Sequence, residues 1–325
     1  MKKKNIDVVA LGELLIDFTE YGESKQGNLL LEVNPGGAPC NVLSILTKLG
    51  NQTAFIGKVG DDQFGKMLIT RVSDLGIDTS SLYKDPEVHT TLAFVHTFPD
   101  GDRDFSFYRN PGADMMLTED EISEELIKQS QIFHFGTLSM THEGNRKATK
   151  KALSIAKENG CLVSFDPNLR PPLWENLDTA KEQAEYGLQC CDILKISDNE
   201  IQWFTGEEDF DKGIAILQDK YNIPLILLTM GRDGSRAYYK ELRVEVKSFI
   251  QENTIETTGA GDTFGGCILH HILQWGMEGL TEEKLRKMLT FANAGASIIT
   301  TRKGALSVMP SEDEIYDLIK SNPFF

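Results

Sequence analysis

Six short apolar runs, at residues 8–11, 53–56, 132–135, 162–165, 193–196 and 225–228, alternate with amphipathic stretches at 41–49, 66–75, 146–159 and 179–189. No other feature constrains the fold as much. Runs this short and this continuously apolar fit strands buried on both faces, while the stretches between them carry helical spacing. Repeated βα units of this kind form a largely parallel sheet covered by helices, so the expected class is α/β. With 325 residues and 40% hydrophobic content, the chain has enough apolar material for one large core. No repeat, low-complexity tract or linker divides it, and one domain spanning 1–325 is expected.

Two regions break the alternation. Within the segments 14–35 and 88–110, apolar and polar residues alternate singly, the second time around the turn Pro99-Asp-Gly-Asp102. That pattern is the signature of β-hairpins. A small sheet projecting from the core is expected, either covering a ligand as a lid or lending its apolar face to a second subunit.

Open parallel sheets bind ligands beyond the carboxyl ends of their strands, so the polar residues after each run are the candidates for chemistry. Asp17 lies a few residues past the first run. In Gly36-Gly-Ala-Pro-Cys-Asn41, Gly36 and Gly37 allow close backbone approach. Asn41 either offers a donor and an acceptor to a hydroxyl or caps the following helix. Phe107-Tyr-Arg109 ends the second excursion and sets a guanidinium where a closing lid would meet a ligand, although a surface ion pair would use the same residue. Arg170, in Asp166-Pro-Asn-Leu-Arg170, has the donor fork for a phosphate, and Pro171 and Pro172 hold this segment out of helix, although a merely proline-stiffened loop has the same sequence. Lys195 and Glu200 flank the end of the next run. Glu200 is a candidate for Mg2+ held through water, because that ion keeps most of its hydration shell, or else a solvated carboxylate at a helix start. Thr229-Met-Gly231-Arg-Asp-Gly234 follows the last run, and its glycines admit a nucleotide or simply make a turn.

One segment is more specific. Glu256-Thr-Thr-Gly-Ala-Gly-Asp262 places Gly259, Ala260 and Gly261 at the start of a helix marked by Phe264, Ile268, Ile272 and Trp275. Unpaired N–H groups and the positive end of the helix dipole favour an anion there. A carboxylate beside that anion gains little by binding it. Asp262 is therefore read as the base that takes a proton from an attacking hydroxyl during phosphoryl transfer, the alternative being a glycine-rich turn that only caps a packed helix.

Other classes fit poorly. A formal charge of −16 argues against a general nucleic-acid binder. Five cysteines without metal-ligand spacing point to a reducing cytoplasm rather than a disulfide framework. Asp7, Glu13 and Asp17 interrupt the apolar start as a signal sequence, and no run approaches the roughly 18 residues of a membrane span. Neither a G-x-x-x-x-G-K-[ST] phosphate loop nor a G-x-G-x-x-G after the first strand is present, which disfavours a P-loop NTPase and an NAD dehydrogenase.

Taken together, these segments resemble the ribokinase-like carbohydrate kinases of the PfkB family over residues 8 to 310, and within it the fructokinases. The resemblance rests on Gly36-Gly-Ala-Pro-Cys-Asn41, Thr258-Gly-Ala-Gly-Asp262, Phe107-Tyr-Arg-Asn-Pro-Gly-Ala-Asp114, Phe133-His-Phe-Gly136 and Asp166-Pro-Asn-Leu-Arg-Pro-Pro-Leu-Trp174. It implies a ribokinase-like fold, ATP and Mg2+ as co-substrate and metal, fructose as acceptor, and a homodimer formed through the lid. By the same resemblance Asp262 is the catalytic base, with Gly259 to Asp262 the anion hole. Asp17, Gly37, Asn41, Arg109 and Arg170 face the sugar or its phosphate. Thr229, Gly231 and Gly234 belong to the nucleotide loop, joined by Lys195 and Thr258, and Asn293 lines the adenine pocket. The chain departs from the family at Ser197, where N-x-x-E has Asn, and at Glu256, where the acid is usually Asp. Glu256 matches a monovalent-cation ligand, which makes potassium a candidate ion. The rival readings are a kinase for another sugar, such as 2-keto-3-deoxygluconate, and a non-catalytic sugar sensor.

Overall fold

The computed structural model describes residues 4–97 and 103–322, so the turn expected at 99–102 lies outside the described residues. The described strands are β1 (Ile6–Leu11), β2 (Leu15–Glu23), β3 (Leu29–Gly36), β4 (Thr53–Gly60), β5 (Asp78–Asp85), β6 (Leu92–Thr97), β7 (Arg103–Tyr108), β8 (Ser130–Gly136), β9 (Leu162–Asp166), β10 (Ile193–Ser197), β11 (Leu225–Thr229), β12 (Ser235–Tyr239) and β13 (Leu242–Val246). Nine of them form one sheet in the order β13-β12-β11-β10-β9-β8-β1-β4-β5. Its pairs are parallel from β11 to β5, and β12 and β13 add an antiparallel edge. All six apolar runs read from the sequence fall inside strands of this sheet. The structure bears out the α/β reading.

The helices are α1 (Ala38–Lys48), α2 (Gln63–Asp74), α3 (Glu124–Lys128), α4 (Glu143–Glu158), α5 (Leu177–Cys190), α6 (Asp198–Thr205), α7 (Phe210–Tyr221), α8 (Ala260–Trp275), α9 (Glu282–Ile299) and α10 (Glu312–Ser321). Successive side chains of a strand point to opposite faces, so each central strand feeds two cores. Val8 and Ala10 pack with Leu43, Phe264 and Leu289 of α1, α8 and α9. Val9 and Leu11 pack with Leu153, Leu188 and Ile214 of α4, α5 and α7. None of the helices among the described residues is long and apolar enough to cross a membrane.

The two excursions become the hairpins β2–β3 and β6–β7, joined by parallel pairing of Ile16 with Leu92 into a sheet of order β3-β2-β6-β7. Phe18 stacks on Phe94 with ring centroids 4.8 Å apart and meets Phe64 of α2 edge-on at 5.7 Å. Ala93 and Val95 are buried, so the apolar alternation at 91–95 turns inward. Exposed apolar residues lie elsewhere on this sheet, among them Tyr21, Leu29, Leu30, Leu31, Val33 and Tyr108. Because the central strands are parallel, their carboxyl ends share one edge. The chain order reverses at β1, which lies between β8 and β4, and a ligand crevice is expected there.

Candidate active site

A cavity of about 710 Å³ opens at that edge. Glu13 reaches it from the loop after β1, Asp17 from β2, Asn41 from α1, Phe107 from β7, Arg170 from the loop after β9, and Lys195 and Glu200 from β10 and α6. Glu256, Thr258, Gly259, Gly261 and Asp262 form its wall at the start of α8. A second cavity of about 270 Å³ is lined by Thr229, Gly231, Gly234, Ala260, Gly261, Phe264 and Asn293. Thr254, Thr257 and Gly261 border both cavities, so the two meet over the first turn of α8.

That first turn is shaped for an anion. Gly259, the N-cap, has φ 77°, a left-handed conformation costly for other residues, and a Cβ there would stand 2.5 Å from Ala305 Cβ. No side chain caps the helix. The Ala260 N–H donates to Thr257 O at 3.2 Å, so Ala260 does not supply the free donor expected of it and lines the smaller cavity instead. Gly261 and Asp262 supply the remaining first-turn N–H groups. The Lys195 ammonium reaches the same place, 3.0 Å from where a Cβ on Gly261 would stand, and pairs with Asp166 at 3.0 Å. Burial works against its charge, yet Asp166, Glu200 and Asp262 outweigh that and hold its pKa up. Asp166 responds oppositely: burial and two further carboxylates push it up to about 6 although Lys195 draws it down. One ammonium shared among several acids explains both directions.

Asp262 Oδ2 accepts a hydrogen bond from Asn41 Nδ2 at 2.8 Å. Burial raises the pKa of Asp262, while Asn41, Lys195 and Arg170 pull it back. The result is a carboxylate more basic than usual and held by a neutral donor, as a proton acceptor requires. Asn41 does not cap its helix: the N-cap is Gly37, and Glu13 Oε1 takes the Ala38 N–H at 2.9 Å. The amide oxygen, Asn41 Oδ1, is buried without a partner among the described residues, in a side chain that lines the larger cavity. Gly36 lies outside the lining, but a Cβ on it would overlap Asp17 Oδ2. Asp17 is pushed up to about 7 by burial and by Glu256 and Asp262, with Arg170 opposing; its partial exposure to the open cavity tempers the effect of burial.

Several residues carry structural duties. Arg109 is not at the cavity. Its guanidinium pairs with Asp114 at 2.7 Å and donates to Thr141 Oγ1 and Leu138 O, with only 2% of the side chain exposed. This corrects the expectation that it faces the ligand: an acid five residues on captures it. Asn293 accepts from Ser235 Oγ and donates to Val246 O and Lys247 O, so it props the wall of the smaller cavity with its whole amide. Glu200 Oε1 takes the Leu169 N–H at 2.8 Å, and its Oε2 takes the Ser197 N–H and hydroxyl at 2.9 Å, forming a capping box. Ser197 thus serves the helix start. Glu256 Oε1 takes the Gly304 N–H at 2.7 Å. Arg170 is exposed at the rim, donating to Leu169 O at 3.1 Å, ahead of a single 3₁₀ turn at Pro171–Leu173.

Sequence reasoning passed over Glu13 and Asp166 as site residues. Both stand at or just past the carboxyl end of a strand, the position that singled out Asp17, and Glu13 is pushed up to about 7, chiefly by burial. No group of three or more His, Cys, Asp or Glu among the described residues is arranged to hold a metal.

Known proteins show the same arrangement of chain. The profile of the pfkB family carbohydrate kinases matches residues 5–312. Probable fructokinase-2 of Arabidopsis thaliana is 42% identical over 315 residues, covering 96% of this chain and 95% of its own. Among solved structures, the fructokinase of Xylella fastidiosa with bound ATP superposes with a TM-score of 0.89 at 29% identity, covering 98% of this chain and 99% of its own. The fructokinase of Vibrio cholerae O395, solved with fructose, ADP and a calcium ion, gives 0.87 at 28% identity over 96% and 99%. The chain belongs to the pfkB family of carbohydrate kinases.

Proposed function

We propose that this sugar kinase transfers the γ-phosphoryl group of ATP to O6 of D-fructose, giving fructose 6-phosphate and ADP. The observation that carries the proposal is the meeting of two cavities over the first turn of α8, with Asp262 on the larger side and the Gly231 loop on the smaller. Fructose would occupy the larger cavity beneath Phe107, and ATP the smaller. Asp262 takes the O6 proton while O6 attacks phosphorus. The O6–P bond forms as the bond from the γ-phosphorus to the bridging oxygen breaks, and ADP leaves with that electron pair. The Gly261 and Asp262 N–H groups and Lys195 stabilise charge on the transferring group. Asn41 holds the base with its Nδ2, and its unpartnered Oδ1 suits a sugar hydroxyl. Arg170 at the rim steadies phosphate. The lid excludes water, which would otherwise accept the phosphoryl group.

Mg2+ bound with ATP would neutralise phosphate charge. Glu200 fits it through water rather than directly, because both carboxylate oxygens already accept hydrogen bonds. Glu256 offers one carboxylate toward a monovalent cation, and rates in K+ against tetramethylammonium read whether it takes one. The lid extends one kinase domain, and its exposed apolar residues, Leu29 at 58% and Tyr108 at 67%, support a homodimer through the lid, read by light scattering across concentration. The five unpaired cysteines, four of them buried, support work in the cytoplasm.

The cavity speaks against 2-keto-3-deoxygluconate. Glu13, Asp17, Glu200, Glu256 and Asp262 line it against Lys195 and Arg170, and Arg109 is spent on Asp114, so a substrate carboxylate meets repulsion. A sensor would have no need of a base at Asp262. Coupling the product through phosphoglucose isomerase to glucose 6-phosphate tests the site of transfer: signal is expected, and fructose 1-phosphate, which gives none, would overturn O6.

A further inference from the structure

Both ends of the second lid hairpin are fastened to one carboxylate. β6 leaves the core after Thr91, whose Oγ1 donates to Asp114 Oδ1. β7 returns at Arg109, whose Nε and Nη2 reach Asp114 Oδ2 at 2.8 and 2.7 Å. Asp114 is itself tied to the core, since its backbone carbonyl accepts from Asn145 Nδ2 of α4 at 2.7 Å. Arg109 extends the clip to Leu138 O at 3.0 Å. The two charged side chains are 2% and 1% exposed, so water cannot replace a lost partner. The surroundings are built around this arrangement: a Cβ on Gly112 would overlap Thr91 Oγ1.

The clip bears on one cavity only. Phe107, two residues before Arg109 on β7, lines the larger cavity, and so does Leu138. Among the described residues, none of either lid hairpin lines the smaller one. We infer that Asp114 is a positioning residue for the sugar: by holding Thr91 and Arg109 together it sets the root of β6 and β7, and so the wall that Phe107 and Leu138 present to the acceptor. This rests on reading the larger cavity as the acceptor site.

The test uses Thr91→Val, which removes one donor to Asp114 with little change of volume, Thr91→Ser, which keeps the hydroxyl, and Asp114→Asn. Each is assayed with whichever sugar the wild-type enzyme phosphorylates; wild-type silence on every sugar defeats the proposed function, whereas the variant ratios decide this inference. Thr91→Val should raise the sugar KM about tenfold, from a charge-assisted hydrogen bond, leave the ATP KM within about twofold, and increase ATP hydrolysis without sugar. Thr91→Ser should restore the sugar KM, and soluble Asp114→Asn should shift it further the same way. Equal rises in both KM values, an unchanged sugar KM, or Thr91→Ser behaving like Thr91→Val would overturn the inference.

Discussion

Replacing Asp262 by Asn separates proton transfer from everything else the residue does. The amide has the same shape and keeps an oxygen for Asn41 Nδ2, which stands 2.8 Å from Oδ2, so the start of α8 retains its geometry. What disappears is the basic oxygen. Loss of a general base slows turnover by about two to four orders of magnitude, or roughly 3–5 kcal/mol at the transition state. Stability moves the other way. A carboxyl group whose pKa is higher folded than unfolded binds protons more tightly in the native state, so stability declines as pH rises through the folded value. Above its folded pKa the ionised Asp262 thus opposes folding, and the neutral amide removes that opposition. The variant should melt at or above the wild-type Tm, with the difference shrinking as pH falls. Coupled ADP release gives kcat and KM, titration calorimetry gives sugar affinity, and calorimetric melting gives Tm. Turnover within about tenfold of wild type would refute the assignment of the base, as would a loss confined to sugar binding.

Three further outcomes follow from the same geometry. Asn41→Leu removes a hydrogen bond that lowers the pKa of Asp262, so the acidic limb of the kcat profile should move to higher pH; an unmoved limb would show that Asn41 does not tune the base. Asp17→Asn should weaken sugar binding by about tenfold or more. It should also raise Tm near pH 8, above the value of about 7 to which the wild-type carboxyl is pushed, and lose that gain toward pH 4; a lower Tm at pH 8 would contradict it. Gly259→Ala forces a side chain into φ 77° against Ala305, costing about 1–3 kcal/mol of stability, and should cut kcat while the Ala-to-Gly revertant restores both; full stability would mean that the cap is not strained.

The central strands were legible because a strand buried on both faces reads as an apolar run, as in β11 and residues 8–11 of β1. β5 carries no such run. It is an edge strand with the sequence Asp-Thr-Ser-Ser-Leu-Tyr-Lys-Asp, and its polarity concealed it. The β12–β13 hairpin was hidden by its turn: Lys240 takes φ 52° where glycine or asparagine would have signalled the bend. At the site, Gly259 to Asp262 could be read locally because a helix N-terminus is made by neighbours in sequence. Asn41 could not, since its partner Asp262 is 221 positions away. Glu13 sits inside an apolar stretch and shows its value only through Ala38, which folds back onto it. Arg109 misled for a related reason. A guanidinium at the end of a hairpin can face a ligand or the core, and only the packed position of Asp114 decides between them.

The most direct test of the account is sugar-dependent ADP formation from Mg-ATP, measured side by side for fructose, ribose, glucose, tagatose, adenosine and 2-keto-3-deoxygluconate. Fructose should give the highest kcat/KM, and the signal should vanish in Asp262→Asn. Preference for 2-keto-3-deoxygluconate would contradict the acid-lined acceptor site, and silence with every sugar would contradict the phosphotransfer chemistry itself.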